Sequence, residues 1–207
     1  VGYKNRQATP SEMERMRGHV ENSMKEGAMG IGSSLIYAPG DYASTEELTE
    51  LSKVASEYGG MYISHLRSEG TNLLEALEEL ISISRNANIP AEVYHLKASR
   101  EPNWSKLDDV IKRIEEVRKE GLKITADIYT YNASSTGLTG VIPTWVQEGG
   151  HRAWINRMKD PEVRPRLLAD IREQLDEQPP EGILLVGFKT SKMSRKYLAK
   201  TVAEAAA

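Results

Sequence analysis

A chain of 207 residues has room for one large domain or one and a half small ones. With 39% hydrophobic and 28% charged residues, the composition is ordinary for a soluble globular protein. The net charge of −3 offers no basic surplus for nucleic acid, and the absence of cysteine excludes disulfides and thiolate chemistry. No apolar run reaches the ~18 residues of a membrane-spanning helix. The opening Val1-Gly2-Tyr3-Lys4 is neither an initiator methionine nor a secretion signal, so Val1 is expected not to be the native start. The cytoplasm is the default expectation for location.

The first 26 residues read as a charged helix capped by Thr9 or Ser11, with Met13, Met16, Val20 and Met24 at helical spacing. Gly27 to Ser34 is small and apolar, as in a buried strand, and Tyr37-Ala38-Pro39-Gly40 signals a turn. Ser44 or Thr45 then caps a helix carrying Leu48, Leu51, Val54 and Ala55, which Gly59-Gly60 ends. Met61 to Leu66 reads as a strand and Asn72 to Asn86 as a helix. Ala91 to Leu96 is the next strand. A helix over Ser105 to Glu120 follows, with Leu107, Val110, Ile111, Ile114 and Val117 on one side. Lys123 to Tyr131 closes the series as a strand.

Three strand–helix units of about 30 residues in succession predict parallel strands joined by helical crossovers. A (β/α)8 barrel and a doubly wound sheet both fit this α/β pattern. No GxGxxG follows a strand, and the phosphate-loop pattern is absent. Beyond Tyr131 the chain turns irregular: a Ser/Thr/Gly-rich loop, a short helix near Trp154 to Met158, and a charged helix over Pro161 to Leu175. One more strand is expected over Gly182 to Gly187, then a helical end from Thr201.

His65 and His95 fall near the C-terminal ends of successive strands, where a barrel carries its active site. Two neutral imidazoles there can converge on one divalent metal. The spacing alone fits equally two partly buried histidines bonded to backbone groups. Arg67 and Lys97 each lie two residues beyond a histidine, which in a strand is the same side, and two such cations suit an anionic substrate. Each also reads as an ordinary surface residue beyond a strand end. Asp127, Tyr129 and Tyr131 alternate along the last strand, so a tyrosine hydroxyl could meet a substrate oxygen. Glu69 reads as a loop carboxylate or a helix cap, and His19 and His151 as solvated residues. No GxSxG elbow is present.

The segments GAMGIGSSLIYAPGDYASTEEL, YISHLRSEGTNLLEALEE, VYHLKAS, NWSK and TADIYTYNASSTGL together resemble the N-acyl-D-amino-acid deacylases (D-aminoacylases) of the amidohydrolase superfamily. The resemblance covers roughly residues 25–150. It implies a metal-dependent TIM-type barrel with a small β-sandwich domain. This chain would supply about four of the barrel strands, as the central to C-terminal part of the catalytic domain. By the resemblance, His65 and His95 follow the fifth and sixth barrel strands as zinc ligands, and Lys97 and Tyr129 hold the substrate. Residues 132–181 would form an insertion or lid over the active site. The resemblance also calls for an HxH pair, a metal-binding cysteine and an aspartate acting as general base, none of which is matched here. Hence no catalytic base is assigned within the chain, and a fragment incomplete for catalysis is expected, able to self-associate through open sheet edges. The implied reaction is zinc-dependent hydrolysis of an N-acyl-D-amino acid to a carboxylate and a D-amino acid. Rival readings are an amidohydrolase of cyclic amides (dihydroorotase- or hydantoinase-like), disfavoured because Gly30 to Leu35 contains no lysine, and a metal-free α/β binding or scaffold module.

Overall fold

The computed structural model describes residues 1–207, except for the side chain at position 177. Two compact units divide it, Val1–Asn156 and Arg157–Ala207.

The first unit opens with helix α1 (Pro10–Lys25). Thr9 accepts from the Glu12 N–H while the Glu12 carboxylate accepts from the Thr9 N–H, a reciprocal capping box. Then follow β1 (Gly30–Ser34), α2 (Thr45–Glu57), β2 (Met61–His65), α3 (Leu73–Ala87), β3 (Ala91–Val93), α4 (Lys106–Lys119) and β4 (Ile124–Ala126). Among the described residues the four strands form one parallel sheet in the order β1-β2-β3-β4. Each strand lies beside its successor, with no reversal of order. That singly wound arrangement is that of a barrel wall, and no switch point of a doubly wound sheet falls among these four strands.

The core lies between the sheet and its helices. Leu77, Leu80, Ile81 and Ile83 of α3 are buried with Tyr62, Val93, Val110, Val117 and Ile124. Completely burying one such side chain contributes about 1.5–3 kcal/mol. Gly30 lets β1 approach β2, because a Cβ there would overlap the Met61 backbone, and Gly40 lets the following turn fold back on the end of β1, where a Cβ would overlap the Ser34 carbonyl.

Several expected elements shorten. β3 stops at Val93 and β4 at Ala126, short of Leu96 and Tyr131. Asp127, Tyr129 and Tyr131 therefore do not share one strand face. On α4 the apolar side divides. Val110, Ile114 and Val117 are buried, while Leu107 and Ile111 stay exposed because α4 packs chiefly against α3 and β4, an edge strand among the described residues.

After β4, two 3-10 turns (Leu138–Val141 and Thr144–Gln147) are fastened to the loop that follows β1. The Tyr37 hydroxyl meets that of Thr136 at 2.8 Å, Tyr42 donates to the Thr144 carbonyl at 2.6 Å, and Thr144 donates to Asp41 at 2.5 Å. The unit boundary falls within α5 (His151–Lys159). The second unit holds α6 (Arg164–Glu177), α7 (Ser191–Tyr197) and α8 (Val202–Ala206). The strand expected over Gly182 to Gly187 is not formed. A single antiparallel bridge joins Leu184 to Thr201, and Leu184 and Val186 remain exposed, so no ladder buries their side chains. Helix α7 carried no expectation, although Thr190 caps it.

Ser52, inside α2, is completely buried, and its hydroxyl has no hydrogen-bond partner. A buried hydroxyl without a partner is costly, and alanine is the better helix former. Ser52→Ala is expected to leave stability unchanged or raise it by about 0.5–1 kcal/mol. By contrast, Leu77→Ala opens a cavity in the core and should cost about 2–5 kcal/mol. Urea unfolding of the two variants checks both.

Candidate metal centre

The strand register sets the starting positions. Ser34 lies opposite His65, and Ser64 opposite Val93. His65 is thus the last residue of β2, at the C-terminal end of the sheet. His95 comes two residues after β3, with its backbone in the left-handed region at φ 40°. Its N–H donates to the Asp127 carboxylate through a very short contact, and Leu96 N–H donates to the Asp127 carbonyl at 2.8 Å. The residue after β4 therefore holds the turn after β3. Non-glycine residues in this region are uncommon and cluster at functional sites.

With that turn in place the two imidazoles meet edge to face, their ring centroids 4.5 Å apart. Tyr37 packs edge-on against His65 at 5.4 Å. Glu69, in the loop after β2, completes the group: its Oε1 lies 3.6 Å from His65 Nδ1 and 3.1 Å from His95 Nδ1. One potential ligand atom from each of His65, Glu69 and His95 falls within 4.8 Å of the others. Two imidazoles and a carboxylate suit zinc, which takes nitrogen and oxygen donors. His65 Nδ1 lies 3.1 Å from the Leu66 carbonyl. A carbonyl only accepts, so this contact places the proton on Nδ1 and leaves the Nε2 lone pair open. Burial pushes the His65 pKa down, with Glu69 opposing, so the ring favours the neutral form a metal requires.

Lys97 enters the same cluster. Its Nζ is 2.5 Å from Glu69 Oε1, 2.6 Å from His95 Nδ1 and 5.4 Å from the centroid of the Tyr129 ring. The Tyr129 ring in turn lies 6.3 Å from that of His95. Burial, reinforced by the charge of Glu69, raises the Tyr129 pKa, so its hydroxyl remains a donor at neutral pH. Arg67 goes elsewhere. It forms a bidentate pair with Glu79 of α3, at 2.9 and 2.8 Å, and donates to the carbonyls of Asp41 and Ala43. Thr45 adds a hydrogen bond to Glu79 at 2.8 Å. The structure thus places Arg67 as a clamp between α3 and the turn after β1. Strand alternation carried past the end of β2 predicts Arg67 beside the substrate, but β2 ends at His65 and the side chain turns to α3. Glu69, by contrast, reads in the sequence only as a loop carboxylate or a helix cap. The i, i+4 relation to His65 was its one visible signal.

A singly wound parallel sheet with two histidines converging at consecutive strand ends is the arrangement of one wall of a metal-dependent (β/α)8 barrel. No protein-family model matches the chain. It is 35% identical to a D-aminoacylase of Alcaligenes xylosoxydans xylosoxydans over 133 residues, and 31% identical to an N-acyl-D-glutamate deacylase of the same organism over 130 residues. These alignments cover 64% and 63% of this chain, and the chain spans about a quarter (27%) of the length of each relative. Among solved structures, an N-acyl-D-glutamate deacylase of Bordetella bronchiseptica, complexed with zinc and a phosphonate mimic of the tetrahedral intermediate, superposes with a TM-score of 0.59. It is 31% identical, over 60% of this chain and 26% of its own. A D-aminoacylase described as defining a novel subset of amidohydrolases gives a TM-score of 0.58 at 31% identity, over 61% and 27%. Over roughly 130 of its residues the chain is thus similar to D-aminoacylases and N-acyl-D-amino-acid deacylases.

Two predictions separate positioning from clamping. Asparagine keeps an oxygen for the His95 N–H, whereas alanine leaves that donor without a partner. Asp127→Ala should therefore cost about 1–3 kcal/mol and Asp127→Asn much less, as read by chemical denaturation. Arg67→Ala strands the half-buried Glu79 carboxylate and should cost about 2–4 kcal/mol. The His65 and His95 side-chain NMR shifts should stay unchanged in that variant, whereas movement of either would tie Arg67 to the cluster.

Proposed function

We propose that this chain provides half of the active site of a zinc-dependent enzyme that hydrolyses the amide bond of N-acyl-D-amino acids. The observation that carries the reading is the convergence of His65 and His95, with Lys97 beside them, at the C-terminal end of a singly wound parallel sheet. His65 and His95 would hold the metal, and zinc bound there would supply polarisation of the scissile carbonyl and a water of lowered pKa.

The chain's other groups act on the substrate. Lys97 presents an ammonium to the carboxylate that every N-acyl amino acid carries, and Tyr129 presents a hydroxyl from the same side. Together they fix the amide relative to the two histidines, so that the reacting carbonyl is oriented before chemistry starts. The segment from Thr136, fastened to the loop after β1 through the Tyr37 hydroxyl, is held to the same tyrosine that packs against His65, and we assign it to covering that side of the site. The HxH pair, cysteine and aspartate that complete such a centre have no counterpart in this sequence. Proton transfer to the leaving amine is accordingly assigned to a group beyond His65, His95, Lys97 and Tyr129.

In the enzyme carrying these residues, His65→Ala and His95→Ala should each remove bound zinc and lower deacylation by at least about a hundredfold. Metal analysis and a panel of N-acyl-D-amino acids, N-acyl-L-amino acids and cyclic amides form the test. Wild-type zinc content and activity in the double variant would overturn the assignment, and preference for cyclic amides would overturn the substrate class.

A further inference from the structure

Glu69 sits at the centre of the cluster, and its chemistry has two readings. It is either a third metal ligand or a carboxylate that arranges the groups around the metal. Oε1 is the shared neighbour of Lys97 Nζ at 2.5 Å and His95 Nδ1 at 3.1 Å, whereas His65 Nδ1 is farther away at 3.6 Å. The oxygen is thus already committed to the donors on the β3 side. Its backbone is tied there as well. The Glu69 carbonyl accepts from the Ser99 N–H at 2.7 Å, which locks the loop after β2 to the loop after β3. Lys106 braces the same loop, donating to the Thr71 carbonyl at 2.7 Å and to Asn103 Oδ1 at 2.7 Å.

Charge points the same way. A lysine ammonium against the ring of a metal-binding histidine is repelled by a divalent cation unless a carboxylate lies between or beside them. Glu69 and Lys97 are both largely buried, with 15% and 19% of their side chains exposed, so water screens that repulsion poorly. The donor inventory adds a constraint. His95 Nδ1 faces both an ammonium, which only donates, and a carboxylate, which only accepts. A proton on Nδ1 lets His95 donate to Glu69 and frees Nε2 for a metal, the carboxylate–histidine–metal arrangement; the ammonium, which cannot donate to a protonated Nδ1, is then held by Glu69 Oε1.

We propose that Glu69 is the positioning residue of this centre: through Oε1 it anchors the Lys97 ammonium and orients the His95 ring, and it does not ligate the metal. The part concerning the metal rests on the deacylase reading above. The part concerning Lys97 does not, and it is tested first on the metal-free 207-residue chain. In side-chain NMR of chain labelled with 15N-lysine, the Lys97 ammonium, lying against an imidazole, should resonate apart from the other lysines. Its assignment follows from Lys97→Arg. Glu69→Gln should move that signal to the position of exposed lysines, and Glu69→Asp should keep it apart. Both variants retain the backbone carbonyl that Ser99 binds. A Lys97 signal unchanged in Glu69→Gln, or one already merged with exposed lysines in the wild type, would overturn the proposal.

The second readout uses the enzyme that carries these residues. Glu69→Gln should retain zinc, raise KM for an N-acyl-D-amino acid by about tenfold or more, the value of one charge-assisted hydrogen bond, and change kcat less. Glu69→Asp should recover most of that loss. Loss of zinc in Glu69→Gln to the extent seen in His95→Ala would make Glu69 a ligand and overturn the proposal. A wild-type enzyme with neither zinc nor deacylase activity would instead overturn the hydrolase reading and leave the Lys97 signal to decide the role of Glu69.

Discussion

The arrangement of the site depends on one backbone turn at His95. In the parallel register Ser64 pairs with Val93, so a straight continuation of β3 would set Tyr94 opposite His65 and His95 opposite Leu66. Paired residues of neighbouring strands point to the same face, and successive residues alternate. His95 would then face away from His65. The left-handed conformation at φ 40° cancels this one-residue offset and returns the imidazole to within 4.5 Å of its partner. Such a conformation costs of order 1–3 kcal/mol in a non-glycine residue. The carboxylate of Asp127, arriving from the end of β4, accepts the His95 N–H and helps to offset that cost. Three consecutive strands are therefore needed to place two side chains.

The same offset explains what could be read from the sequence and what could not. Helices were legible because their signals are local: Thr9 and Ser44 cap, Gly59 and Gly121 terminate, and Leu73, Leu77 and Leu80 recur at helical spacing. Strand existence was legible, but strand ends were not. The tracts 91–96 and 123–131 look continuous in hydropathy, yet β3 ends where His95 turns, and β4 ends where Asp127 is recruited to hold that turn. Neither event has a signature within its own tract. His65 and His95 looked equivalent in the sequence and are not equivalent in the structure. One ends a strand and the other belongs to a loop.

Arg67 and Lys97 show how the surroundings, and not the spacing, divide two residues with the same relation to a histidine. Each cation meets a glutamate. Glu79 belongs to α3, so Arg67 is drawn outward and spends its donors on Asp41, Ala43 and that helix. Its planar fork matches a carboxylate at two points, which suits a clamp. Glu69 belongs to the loop over the strand ends, so Lys97 is drawn inward to His95 and Tyr129. A lysine carries a compact charge on a flexible stem, which lets it reach Glu69, His95 and Tyr129 together. The glutamates lie ten residues apart and decide which cation is structural.

Backbone hydrogen bonds between neighbouring loops hold this arrangement together. Leu35 N–H binds the His65 carbonyl, Tyr94 N–H the Ser64 carbonyl, Ser99 N–H the Glu69 carbonyl, and Leu96 N–H the Asp127 carbonyl. Each ties the end of one strand, or the loop after it, to its neighbour, so the ladder of the sheet continues into the loops after regular pairing has stopped. Side chains carried on such tied loops have little freedom to drift apart, and below them the buried faces of α2, α3 and α4 fix the strands. The positions of His65, Glu69, His95 and Lys97 therefore follow from the packing of the first unit itself. A ligand arriving at this end of the sheet meets donors already in place, so little of its binding energy goes into assembling the site.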